Sequence, residues 1–482
     1  MGLGRSLGAY YPASHCMLLG HSCSQLHQAF ERLFGRSLTD PGFLAREFLA
    51  ADFLAKADVD WRKGGIFDDV LRYTTFAHEL AHVRHLSASP LGFAMWVMSG
   101  MERVNNTRTL KNWSAKADAP FSVSLPLLSE EPDDPWLRKI ASQRKLAGSL
   151  ELGLLEPAPD EEAADWLWPL NMLWDELCGF FERVLKQERY GAEIAVPPNY
   201  PRGLSPPGLA GRAVIEGLAS CNESIALLKL GAPPEILNRH ALSKHGQYGP
   251  IFGYIKRDLG VVHGKAVLLA AVLLDWALQA PLLPFLLGNR GGSVELHELL
   301  PGWRFLRLVQ HFADLRFTLD DVHQRYGDVE AELFASLGWA SPSDLAERIL
   351  RLDIPTPTSA GTRLAVRKFQ VGAEIRARSP LTLAYPQAVP PLLESGEEVL
   401  LASIAVFADH GVVSIGDVEN RDALLLTFAD DLIYDALLGE VDVSQAQLLT
   451  DTLSQLLGGV PTGREIFRSR LRAMIGDVQP RW

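Results

Sequence analysis

Apolar residues recur along most of this chain with the three-to-four-residue spacing that is typical of helices. Alternating apolar and polar positions, which indicate strands, occur only in short strips at 121–125, 411–415 and 423–427. The breaks between the apolar segments are acidic or rich in proline and glycine. The pattern therefore predicts a mainly α protein with little β structure.

The length predicts more than one domain, because 482 residues are too many for a single compact core. We divide the chain into residues 1–290, which contain the candidate chemistry, and a mostly helical C-terminal region, 291–482. The most apolar stretch runs from 266 to 287, but Asp275 and two prolines interrupt it. It is therefore expected to be a buried core helix and not a membrane span.

The net charge and the cysteine content indicate which binding partners and which cellular compartment to expect. A net charge of −12 argues against nucleic-acid binding and against anionic membrane surfaces, so we expect no nucleic acid and no membrane insertion. The four cysteines are scattered without a C-x-x-C pair, which favours a reducing compartment. The first residues lack the basic and then apolar pattern of a targeting signal. A cytoplasmic location is the resulting expectation.

The segment His78-Glu79-Leu80-Ala81-His82 has the most specific chemistry in the sequence. It falls in a predicted helix over about residues 66–88. Histidines four residues apart lie on one face of a helix, roughly 6 Å apart along its axis. Two such imidazoles can hold one Zn²⁺, and the adjacent Glu79 can act as a base toward a water bound there. The alternative is a half-buried helix whose two histidines bind no metal.

His85 also lies on this face, but about 10.5 Å along the axis from His78. One ion cannot easily be bound by both His78 and His85. We therefore expect His85 either to contact the metal ligands without binding the metal itself, or to face the substrate.

A second predicted helix, over about residues 209–230, offers a third ligand. Its surface is mostly apolar except for a narrow stripe of Arg212, Glu216, Ser220 and Glu223. Buried carboxylates need a cation, a metal or hydrogen bonds, so Glu216 is the candidate ligand, and Glu223 is expected to orient a histidine or a water. The alternative is a solvent-facing stripe in which Arg212 pairs with Glu216. Gly217, inside the helix, predicts close packing against another element.

The two segments together resemble the gluzincin group of zinc metallopeptidases. In that group two histidines come from an HExxH helix, and a glutamate comes from a later helix, as in Glu216-Gly217-Leu218-Ala219 here. The resemblance implies a zincin-like core in which His78, His82 and Glu216 bind Zn²⁺ and Glu79 is the general base. The 133 residues from 83 to 215 exceed the gap in many members, which implies a large insertion.

The expected function is that of a zinc-dependent hydrolase, a metallopeptidase with a peptide or protein substrate. Tyr248 or His245, in a stretch interrupted by glycine and proline, is a candidate to stabilise the oxyanion, although both could be ordinary loop residues. Two other functions stay open. One is a metal-dependent amidohydrolase with a non-peptide substrate. The other is a non-catalytic regulatory or binding protein whose C-terminal region contacts a protein partner.

Overall fold

A computed structural model describes much of the chain. The described residues are 8–12, 14–35, 59–62, 64–115, 121–124, 134–138, 140, 194–195, 209, 211–261, 263–281, 294–352, 360–384, 399–400, 402–416, 418, 420–439, 441–476 and 478–481. For 101, 121–124, 194–195, 238–248, 263, 294–297, 360, 382 and 478–481 the description covers the backbone only.

Helices dominate the described residues, which confirms the predicted mainly α fold. The helices are α1 (Cys23–Phe34), α2 (Ile66–Ser87), α3 (Pro90–Ser114), α4 (Gly211–Lys229), α5 (Pro234–Leu259), α6 (His263–Leu278), α7 (Leu296–Leu299), α8 (Pro301–Asp314), α9 (Leu319–Leu337), α10 (Pro342–Leu350), α11 (Ala360–Arg378), α12 (Leu381–Ala384), α13 (Arg421–Leu438), α14 (Val443–Leu456) and α15 (Gly463–Ile475). The strands are β1 (Gly8–Tyr11), β2 (Cys16–Leu19), β3 (Phe121–Ser124), β4 (Ile194–Ala195), β5 (Val294–Glu295), β6 (Ser403–Phe407), β7 (Val412–Ile415) and β8 (Val478–Arg481).

The chain divides into two compact units. The first comprises Met1–Leu26, Trp96–Ser149 and Ala402–Trp482, and the second comprises His27–Met95 and Leu150–Leu401. The division predicted at residue 290 falls inside the second unit, because α8 packs against α4, α5 and α6 there. Helical periodicity describes single elements and does not show which of them share a core.

The first unit contains a four-stranded sheet in the order β1-β2-β6-β7. The central strands β2 and β6 are parallel, with Cys16 opposite Ile404, and the outer strands are antiparallel to their neighbours. β3 pairs in parallel with β8 in a separate two-stranded sheet. α13 packs against β2 and against α14 and α15. β3 and β7 match two of the three predicted strips.

The third strip, 423–427, is wrong as a strand, because these residues lie in α13. Buried residues occur at Leu424, Leu425, Phe428 and Leu432, which is a helical spacing. A helix packed against other elements on several sides is apolar at successive positions, so a short window of it imitates a strand.

The second unit is built around two buried helices, α4 and α6. α4 packs against α2, α5, α6 and α8. The side chains of α6 from Leu269 to Leu278 are all buried, as predicted for the most apolar stretch. Its Asp275 forms a bidentate ion pair with Arg376 of α11, with N–O distances of 2.8 and 2.9 Å.

Among the described residues, no single helix combines the length and the apolar character needed to cross a membrane. One pair of segments, Gly249–Leu259 with Gly264–Leu278, meets the length and composition criteria together, but it is bent by 104° at the break between them.

Candidate metal centre

Helix α2 begins and ends close to the predicted residues. Gly65 adopts a left-handed conformation, with φ 84°, immediately before the helix, and Asp68 and Asp69 complement the helix dipole in its first turn. The helix ends at Ser87, and Pro90 begins the next one. This 22-residue helix supplies the rigid support that a metal site needs, and most of it beyond Tyr73 is buried.

Three side chains from α2 and α4 converge. His78 Nε2 lies 3.1 Å from His82 Nε2 and 3.0 Å from Glu216 Oε2. His82 Nε2 lies 3.7 Å from the other carboxylate oxygen, Glu216 Oε1. One ligand atom of each residue lies within 4.8 Å of the others, so this group could hold a metal ion.

The spacing of these atoms fits coordination by one ion. Ligands about 2.05 Å from a tetrahedral zinc stand roughly 3.3 Å apart. The distances of 3.0 and 3.1 Å from His78 Nε2, and of 3.7 Å between His82 Nε2 and the second oxygen of Glu216, lie close to that value. Both histidines present Nε2, the atom with which imidazole commonly binds metals. The donor set of two imidazoles and one carboxylate is that of several catalytic zinc sites.

The polar stripe of α4 changes from exposed to buried along the helix. Arg212 is exposed, Glu216 is partly buried, and Ser220 and Glu223 are buried. The stripe is therefore not a solvent-facing surface at its C-terminal end. The buried Glu223 carboxylate contacts His78 Nδ1, the ring nitrogen opposite the one that faces Glu216. Such a carboxylate fixes the orientation and tautomer of a metal-binding histidine.

Gly217 lets α4 approach its neighbours closely beside the site. A Cβ at this position would overlap Ile251 Cδ1 of α5 and would lie 3.5 Å from Leu274 Cδ1 of α6. The close packing that the sequence predicts at Gly217 is therefore present.

Three carboxylates surround the histidine pair and set its electrostatics. Burial lowers the pKa of His78, but the carboxylates of Glu223 and Glu216 outweigh it and raise this pKa to about 10. Burial raises the pKa of Glu216, yet His82 and His78 more than offset it, so that Glu216 ionises well below its usual range. The cluster is therefore built to hold positive charge, as protons or as a metal ion.

Glu79 lies on the same turn of α2 and is 5% exposed. Burial raises its pKa above the ordinary value, although the charges of His82 and His78 act in the opposite direction. A carboxylate with a raised pKa is a stronger base, which suits it to accept a proton near neutral pH.

His85 is 2% exposed and has a structural partner. Its Nε2 donates a hydrogen bond of 2.9 Å to the carbonyl oxygen of Leu383 in α12. Burial and the charge of Arg84 hold the pKa of His85 well below the ordinary value. Its expected role as a substrate-facing group finds no support in these contacts.

Two candidate residues lie outside the described side chains, namely His245 and Tyr248. Their backbone belongs to α5, so the alternative that they are ordinary loop residues is wrong. The helix contains Pro250, and packing against α4, α6 and α8 stabilises it despite the nearby glycines. Asn222 was not predicted to contribute, although a buried asparagine in an apolar helix is a signal that it has a partner.

Comparisons with protein-family models, with curated proteins and with solved structures returned no match to this chain.

Proposed function

We propose that this protein is a zinc-dependent hydrolase of the metallopeptidase type, with its centre at His78, His82 and Glu216. The observation that carries the proposal is the convergence of these three side chains, whose nearest nitrogen and oxygen atoms lie 3.0 to 3.7 Å apart, beside the buried Glu79. The resemblance to gluzincins and the zincin-like core belong to this proposal.

The number of ligands supports a catalytic centre over a structural one. Structural zinc sites have four protein ligands, whereas catalytic sites have three and an open position. Within the described part of the chain, the group around His78 contains three such residues and no fourth. Glu223 is engaged with the opposite nitrogen of His78.

Each residue has a distinct role in this proposal. A zinc ion bound here would act as a Lewis acid and would make a water nucleophilic at neutral pH. Glu79 takes the proton of the attacking water and passes it to the leaving amine. Glu223 keeps the His78 ring oriented with Nε2 toward Glu216.

Substituting Glu79→Gln tests the proposal. The variant should retain zinc, because Glu79 is not a ligand, and should lose cleavage of a fluorescence-quenched peptide library by roughly 100-fold or more. His78→Ala should lose both zinc and cleavage. Asp68→Asn, which changes an exposed carboxylate on the same helix, is the matched control and should keep both. Undiminished cleavage by Glu79→Gln would refute the assigned base.

A further inference from the structure

The short helix α12 ends between the two helices that form the metal centre. The last carbonyl groups of a helix have no partner within that helix. At this end they belong to Leu383 and Ala384, both of which are buried. Buried carbonyl groups need hydrogen-bond donors from elsewhere in the protein.

The donors come from α2 and α4. His85 Nε2 donates to Leu383 O at 2.9 Å, and Asn222 Nδ2 donates to Ala384 O at 3.3 Å. Asn222 Nδ2 also lies 3.0 Å from Leu218 O of its own helix. His85 and Asn222 are 2% and 1% exposed, so water does not compete for these bonds.

Both donors are close in sequence to the residues that form the site. His85 follows His82 by three residues, about one helical turn. Asn222 directly precedes Glu223, which contacts His78. Helix α12 therefore contacts α2 within about one turn of His82, and it contacts α4 at the residue next to Glu223.

Apolar packing holds α12 in place independently of its hydrogen bonds to His85 and Asn222. Leu383 belongs to a buried cluster with Ala88, Val371, Ile375 and Leu400. In that region α11 approaches the C-terminal end of α2 so closely that a Cβ on Gly372 would lie 2.6 Å from Ala88 Cα. α12 is thus a fixed support and not a flexible tether.

We propose that His85 and Asn222 are positioning residues that act through α12. By binding its last two carbonyl groups, they fix the separation and rotation of α2 and α4, so that His78, His82 and Glu216 stay within coordination distance of one ion. This inference rests on the proposed function, and neither residue binds the metal. Among the described residues, the bond to Leu383 is the only hydrogen bond of the His85 side chain.

The test measures metal binding and site geometry without activity. Zinc affinity is measured by competition with a chelator, and the visible spectrum of Co²⁺ bound to the protein reports the ligand geometry. His85→Leu should weaken zinc binding roughly 10- to 100-fold, as loss of a supporting contact does at other zinc sites, and should shift the Co²⁺ bands. His85→Gln should restore both, because its amide nitrogen can reach Leu383 O.

A matched control separates positioning from stability. Tyr326→Phe removes a partly buried hydroxyl in the same unit, the one that accepts a hydrogen bond from Trp276 Nε1, and should leave affinity and spectrum unchanged. Asn222→Ala, which should weaken binding like His85→Leu, provides the same test if His85→Leu does not fold.

The outcomes distinguish the two proposals. Unchanged affinity and spectrum in both His85→Leu and Asn222→Ala would overturn the positioning role and leave the metal centre intact. An equal loss in Tyr326→Phe would also overturn it, because the effect would then be general destabilisation. Failure of the unaltered protein to bind zinc would overturn the proposed function and the positioning role together.

Discussion

Replacing Glu223 by glutamine should make zinc binding less dependent on pH. Zinc binds the neutral imidazole, so a proton on His78 must leave when the metal enters. In the metal-free protein the carboxylates of Glu223 and Glu216 outweigh burial and raise the pKa of His78 to about 10. His78 is therefore protonated at neutral pH, and Glu223 is the largest of the charges that keep it so.

The magnitude follows from the distance between this pKa and the assay pH. A pKa of about 10 lies three units above pH 7. At about 1.4 kcal/mol per unit, displacing the proton costs about 4 kcal/mol of zinc binding at pH 7. Zinc binding should release about one proton, and its affinity should rise about tenfold per pH unit below the pKa. Glutamine has no charge, so the number of protons released and the change in affinity per pH unit should both be smaller in Glu223→Gln.

Isothermal titration calorimetry in two buffers with different ionisation enthalpies measures the released proton directly. The wild-type protein should release about one proton per zinc near pH 8, and Glu223→Gln should release distinctly less. Glu223→Gln should also bind zinc more weakly at high pH, since His78 loses its orienting partner. Glu235→Gln, at an exposed glutamate of α5, should behave like the wild type. Equal proton release by the wild type and Glu223→Gln would show that Glu223 does not hold the proton on His78.

Two further predictions concern the unit that holds the site. Gly372→Ala should lower the free energy of unfolding by about 1–3 kcal/mol, because the new Cβ would lie 2.6 Å from the backbone of Ala88. Gly253→Ala is the control, because a Cβ at this position of α5 meets no neighbouring atom, and it should raise the free energy of unfolding by up to about 1 kcal/mol. Equal effects of the two substitutions in urea unfolding would show that the close approach at Gly372 does not matter for stability. Arg376→Leu leaves the buried Asp275 without its bidentate partner and should cost about 3–5 kcal/mol. A loss below about 1 kcal/mol in thermal or urea unfolding would show that this ion pair contributes little.

The parts of the site that sequence alone predicts are those with strong local signals. Gly65 and Pro90 delimit α2, and Gly231 follows α4, so the bounds of both helices are close to the predicted ones. The four-residue spacing of His78 and His82 brings their rings together on any regular helix. The proximity of Glu216 needed a further argument, namely that a buried carboxylate on a mostly apolar helix requires a cation, a metal or hydrogen bonds.

The parts that sequence could not predict depend on distant contacts. β2 and β6 are short and wholly buried, so they show no alternation, and their pairing joins residues nearly 400 positions apart. Asn222 and His85 gain their meaning from the carbonyl groups of Leu383 and Ala384, which no local pattern connects to them. Such contacts are a property of the folded chain and not of either segment.

Elemental analysis of the purified protein shows whether His78, His82 and Glu216 bind one zinc ion. The wild type and Glu235→Gln should contain about one zinc per chain, and Glu216→Ala should contain almost none. A wild-type protein without zinc after incubation with the metal, or a Glu216→Ala variant that retains a full equivalent, would show that these three residues do not form a zinc site.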